Sequence, residues 1–66
     1  MQIYINGDPE TCADAITVSE LLVQLEMGDK RLAIELNGEI VPRSAHVKQK
    51  LSESDRVEIV HAIGGG

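Results

Sequence analysis

The apolar residues of this 66-residue chain change their spacing twice, and this change restricts the fold more than any other feature. Residues 1–6 alternate between apolar and other side chains, which is the period of a half-buried strand. Residues 18–25 repeat at three and four, as on one face of a helix, and residues 32–36 alternate again. The order of periods predicts an α+β fold, with one sheet and a helix packed across one face.

The first strand is followed by the turn-forming residues Asn6, Gly7, Asp8 and Pro9. Residues 10–13 can return as a second strand, so the start of the chain is interpreted as a β-hairpin. In the first strand one face carries Met1, Ile3 and Ile5, and the other carries Gln2, Tyr4 and Asn6.

The helix has recognisable start and stop signals. The hydroxyl of Thr17 can accept from the amide of Glu20, whose carboxylate can return to the Thr17 amide, as in a capping box. Gly28 can take the left-handed conformation that ends a helix. The apolar stripe consists of Val18, Leu21, Leu22 and Leu25.

A second hairpin and a last strand follow. Asn37-Gly38 is a strong two-residue hairpin signal, and the return arm, residues 39–41, stops at Pro42, which lacks an amide proton. Residues 43–53 have a weak pattern, and within them residues 44–49 fit either a helical turn or a short edge strand. Residues 55–63 are apolar on both faces towards their end, which is typical of a central strand.

This order is a ubiquitin-like β-grasp layout over residues 1–63, with a mixed four- to five-stranded sheet. The first and last strands are expected to be adjacent and parallel. Gly64, Gly65 and Gly66 then form a tail without Cβ atoms, predicted to be flexible and thin enough to enter a narrow channel in a partner.

Composition narrows the possible functions. A domain of this size cannot enclose a drug-sized cavity, so a self-sufficient metabolic enzyme is not expected. Tyr4 is the sole aromatic residue and the net charge is −5, which disfavours nucleic acids and anionic membranes and favours partners with basic docking surfaces. A single cysteine and the lack of a signal-peptide pattern at the start predict a cytoplasmic protein. The free protein is expected to be a monomer.

Several segments resemble the ThiS family, the small sulfur carriers of bacterial thiamine thiazole synthesis. The resemblance covers all 66 residues and is carried by the start at residues 1–3, the helix start at residues 17–22, the segment 37–43 and the end at residues 57–66. One departure is Ala62, where similar proteins often have a bulkier or aromatic residue.

The resemblance implies a protein cosubstrate and not an enzyme. A partner resembling the ubiquitin-activating (E1) enzymes would use ATP to adenylate the carboxylate of Gly66. A cysteine desulfurase or another persulfide donor would supply sulfur, and the resulting thiocarboxylate would be delivered to thiazole synthase. The carrier itself would bind no cofactor and no metal.

Other residues are candidates for the site. Ile63 and Val60 are candidates for a docking patch with Gly64 and Gly65, although an apolar strand residue is core by default. Arg43 can either dock an acidic partner group or only solvate a sheet edge. Three further candidates each have a plainer structural interpretation: Cys12 as a persulfide carrier, and His46 and His61 as zinc ligands.

Three alternatives stay open on the sequence. The chain could carry sulfur for another pathway such as molybdopterin synthesis. It could be a ubiquitin-like modifier joined through Gly66 to lysine. It could also be an interaction module with an inert tail.

Overall fold

Five strands and one α-helix form in the order that the sequence predicts. The computed structural model describes residues 1–28 and 30–61. The elements are β1 (Gln2–Ile5), β2 (Asp8–Thr11), α1 (Val18–Gln24), β3 (Leu32–Leu36), β4 (Glu39–Val41) and β5 (Arg56–His61). The strand order is β2-β1-β5-β3-β4, with β1 and β5 parallel and every other pair antiparallel. The predicted β-grasp layout, its mixed sheet and its central last strand are confirmed.

Two-residue turns close both hairpins. The φ angles are 51° and 89° at Asn6 and Gly7, and again 51° and 89° at Asn37 and Gly38. The prediction of a four-residue first turn with a return strand at residues 10–13 is therefore wrong. The strand resumes at Asp8 because Asn and Gly alone supply the two left-handed positions. Pro9 is accommodated because β2 is an edge strand.

The helix start is confirmed and its predicted end is wrong. The Thr17 hydroxyl accepts from the Glu20 amide at 3.1 Å, and the Thr17 amide donates to the Glu20 carboxylate at 2.9 Å. At the other end the left-handed residue is Glu26, with φ 59°, and not Gly28. The Met27 amide donates to the Leu22 carbonyl at 2.8 Å, which closes a Schellman motif two residues earlier than predicted.

The core lies between α1 and one face of the sheet. The largest fully buried side chains come from three strands and the helix. They are Ile3, Ile34, Val57, Val18 and Leu21. Burial of each stabilises the fold by roughly 1.5–3 kcal/mol relative to exposure.

The segment after β4 forms a helical turn, one of the two structures that its weak pattern left open, and no edge strand within its described residues. A short 3₁₀ helix spans Arg43–Ala45, and a single β-bridge joins Thr17 to Lys50. Carbonyl groups of His46 and Gln49 accept hydrogen bonds from the first turn of α1, at 3.0 and 2.9 Å. The segment therefore satisfies amides that a helix N-terminus leaves without intrahelical partners.

Candidate docking face and carboxyl-terminal site

β5 is the element that leads to the predicted site. It was predicted over residues 55–63 and is observed over Arg56–His61. Its last described residue, His61, pairs with Leu32 of β3. Ala62, Ile63 and Gly64 to Gly66 lie outside the described residues, so the predicted reactive carboxylate and flexible tail stay predictions.

A side chain holds β5 where its pairing with β1 ends. The backbone register between these strands stops at Ile5 and Val57. Beyond it, the Asn6 side chain accepts from the Ile59 amide at 2.8 Å and donates to the Ile59 carbonyl at 3.1 Å. The side-chain amide of Asn6 thus makes the two hydrogen bonds that a further peptide group of β1 would make. These bonds hold the strand that leads to the C-terminus.

The sheet face opposite α1 carries an exposed apolar group, which we call the outer patch and define as Ala33, Ile40 and Val60. Val60 is 56% exposed and Ile40 is 76% exposed. Ala33 is paired with Val60, and Ile40 with Glu35, which connects β4, β3 and β5. The default assignment of Val60 to the core is wrong, because Val57 and Ile59 occupy the buried face of β5.

Carboxylates border the outer patch. Glu35 and Glu58 are directly opposite each other on β3 and β5, and both are exposed. Like charges in this position destabilise a sheet. An apolar patch beside an acidic pair is complementary to a partner surface with apolar and basic side chains.

Arg43 does not lie with Val60. It belongs to the 3₁₀ helix and lines a groove with Ser19, Leu22 and Val23 of α1, on the opposite side of the sheet. The two described members of the predicted docking set, Val60 and Arg43, therefore lie on different faces. Ile40 was not among the residues predicted from the sequence. Its neighbour Val41 is buried, and adjacent strand residues point to opposite faces, so alternation along β4 could have indicated that Ile40 is exposed.

Cys12 and His46 are buried, which fits a structural role for both side chains. Cys12 is buried, and burial raises the pKa of its thiol, which disfavours the thiolate needed for sulfur transfer. The buried His46 ring has Nε2 at 3.2 Å from the Val41 carbonyl, so this nitrogen carries the donated proton. His61 is exposed.

Residues 1–28 and 30–61 contain no group of three or more His, Cys, Asp or Glu residues placed to hold a metal ion. No helix among them is long and apolar enough to cross a bilayer.

Comparisons with known proteins agree over the length of the chain. The ThiS family model matches residues 3–66. The chain is 35% identical to the sulfur carrier protein ThiS of Escherichia coli, with 100% of both chains covered. It is 38% identical to a thiazole synthase of Paramagnetospirillum magneticum over 66 residues, which are 20% of that protein's length. A crystal structure of the thiamine biosynthesis protein ThiS from Geobacter metallireducens superposes with a TM-score of 0.88 at 35% identity, covering both chains fully.

Proposed function

Because the chain belongs to the ThiS family of sulfur carrier proteins, we propose that it carries sulfur as a thiocarboxylate at Gly66 for formation of the thiamine thiazole. The observation that carries this proposal is the family match over residues 3–66, which includes the three terminal glycines. The chain serves as a cosubstrate, and its partners supply the catalytic groups.

Activation of the terminal carboxylate is the first step. A carboxylate is a poor acyl donor, so an E1-like partner transfers AMP from ATP to the Gly66 oxygen and releases pyrophosphate. A persulfide from a cysteine desulfurase, or another persulfide donor, then attacks the acyl carbon and expels AMP. A thiol reductant cleaves the resulting acyl disulfide and leaves a thiocarboxylate with an ionised, nucleophilic sulfur.

The fold contributes position and reach. β5 is paired on both sides, and the Asn6 side chain holds it at Ile59, so the strand that leads to the tail has a defined place. Five residues follow His61. Fully extended, they span about 17 Å, enough to enter an active-site channel while the folded domain stays outside. We propose that Gly64 and Gly65 pass through this channel and that Ile63 contacts its entrance.

The outer patch is the docking surface for these partners in this proposal. Val60 and Ile40 would enter apolar depressions, and Glu35 and Glu58 would meet Lys or Arg side chains. The similarity of the chain to a fifth of a thiazole synthase supports that class of enzyme as the sulfur acceptor.

Intact mass spectrometry tests the proposal. The chain is coexpressed with an E1-like activating enzyme and a cysteine desulfurase. We expect a species in which one oxygen at the C-terminus is replaced by sulfur, absent from a matched variant that lacks Gly66. A chain that keeps an unmodified carboxylate with both partners active would contradict the proposal. Branched peptides joining Gly66 to lysine would instead indicate a protein modifier.

A further inference from the structure

A second candidate binding surface lies on the helix side of the molecule, away from the outer patch. It is a surface groove of about 310 Å³ between α1, the start of β3 and the 3₁₀ helix. We call it the basic groove and define it by Val23, Lys30, Leu32, Arg43, His46 and Val47.

The charge of the basic groove is opposite to that of the chain. The whole chain has a net charge of −5 with six Lys and Arg residues, and two of these six, Lys30 and Arg43, line the groove. No described lining residue is acidic, and neither cation has a carboxylate within 4.0 Å among residues 1–28 and 30–61. The described charges that line the groove therefore favour an anion, against the overall charge of the chain.

The walls of the basic groove are aliphatic and exposed to water. Val23 is 70% exposed and Val47 is 66% exposed, although both are large apolar residues. Leu32, which is half-buried, also lines the groove, and the buried His46 forms another part of the wall. A ligand that covers both valines would remove apolar surface from water.

We propose that the basic groove binds a segment of a partner protein in which acidic and aliphatic side chains alternate. Its carboxylates pair with Lys30 and Arg43, and its aliphatic side chains cover Val23 and Val47. An inorganic phosphate would use the cations and leave the valines exposed. A wholly aliphatic segment would leave the cations without partners. An acidic and aliphatic segment uses both features.

The position of the basic groove allows a partner segment to bind there while the outer patch is occupied. Leu32 lines the groove and pairs with His61, the last described residue of β5. The groove therefore lies beside the end of β5 at His61, on the other side of the sheet from Val60. A partner can occupy it while the outer patch contacts another surface, and this binding does not depend on the chemistry of Gly66.

Nuclear magnetic resonance titration of the isotope-labelled full chain tests the proposal. The probe is the capped peptide acetyl-Leu-Glu-Leu-Glu-Leu-amide, with the corresponding Gln and Lys peptides as controls. We expect amide shifts at Val23, Lys30 and Val47 and binding weakened severalfold by a rise in salt from about 20 to about 200 mM. The Gln and Lys peptides should bind more weakly. Equal binding of all three peptides, or shifts confined to the outer patch, would overturn the proposal.

A matched pair of double variants separates the groove from net charge. The double variant Lys30→Gln with Arg43→Gln should bind the acidic peptide about fivefold more weakly, as expected for the loss of two exposed charge pairs. Lys50→Gln with Arg56→Gln removes the same charge outside the groove and should change binding less than twofold. All four side chains are exposed, so both variants should fold. Equal effects of the two double variants would contradict a specific groove.

Discussion

Substitution of Asn6 tests whether its side chain holds the strand that leads to the C-terminus. Asn6 and Asn37 occupy equivalent turns with the same φ of 51°, so a glycine relieves the same backbone strain at both positions. The two variants Asn6→Gly and Asn37→Gly therefore differ mainly in the hydrogen bonds that they lose. This makes Asn37→Gly a matched control.

The expected difference follows from the partners of each side chain. Asn6 makes two partly shielded bonds to the backbone of Ile59, worth about 1 kcal/mol each, and more if Ile59 is left without partners. Asn37 accepts from the Arg56 amide at 2.9 Å and donates to Asp55 at 3.0 Å, both exposed to water. We expect Asn6→Gly to lower the free energy of unfolding by about 1.5 kcal/mol more than Asn37→Gly.

Urea unfolding followed by circular dichroism measures this difference. With a slope of about 1 kcal/mol per molar urea, the midpoints of the two variants should differ by about 1.5 M. Amide hydrogen exchange provides a local readout, because Ile59 should lose protection in Asn6→Gly and keep it in Asn37→Gly. Equal midpoints, or unchanged protection of Ile59, would refute this role of Asn6.

Three further predictions concern the outer patch and the helix. Glu58→Thr removes the like-charge pair with Glu35, so it should raise the free energy of unfolding by about 0.2–1 kcal/mol while slowing partner-dependent sulfur loading; faster loading would contradict the docking role. Glu26→Gly relieves a left-handed residue and should raise stability by about 0.5–1 kcal/mol, visible as a higher Tm; a lower Tm would show that this conformation is not strained. Hydrogen bonds from Thr17 hold the pKa of the Glu20 carboxyl below its usual value. The ionised Glu20 therefore stabilises the folded chain fully above the unfolded-state pKa, and this contribution is lost as pH falls through the folded-state pKa. The stability difference between the native chain and Glu20→Gln should therefore shrink between about pH 6 and about pH 3, and a constant difference would contradict the capping role.

The sequence predicts the architecture because the spacing of apolar residues determines which segments form strands and which forms the helix. Alternation and the 3.6-residue stripe depend only on neighbouring residues, and Thr17 with Glu20 forms a local cap. The boundaries were harder to predict, because Pro9 and Glu26 occupy positions that these residue types usually avoid. Pro9 is tolerated at a sheet edge and Glu26 in a Schellman motif, and both depend on tertiary context.

The candidate site is less predictable from the sequence than the architecture, because it depends on contacts between distant residues. Val60 could be identified as a candidate, but its exposure depends on which face α1 covers. The bonds between Asn6 and Ile59 join residues 53 positions apart and have no signal in local sequence. Arg43 and Val60 were both predicted as candidates for partner contact, yet the sheet separates them. Gly66 was predicted from its terminal position and from the resemblance of the chain to the ThiS family.

Transfer of labelled sulfur tests the central claim most directly. The chain is incubated with an E1-like activating enzyme, a cysteine desulfurase, ATP, a thiol reductant and cysteine carrying a heavy sulfur isotope, then purified and given to thiazole synthase with its other substrates. The account predicts one labelled sulfur at Gly66, which disappears as labelled thiazole forms. Labelled thiazole from a chain lacking Gly66, or label bound at Cys12 and not at the C-terminus, would contradict it.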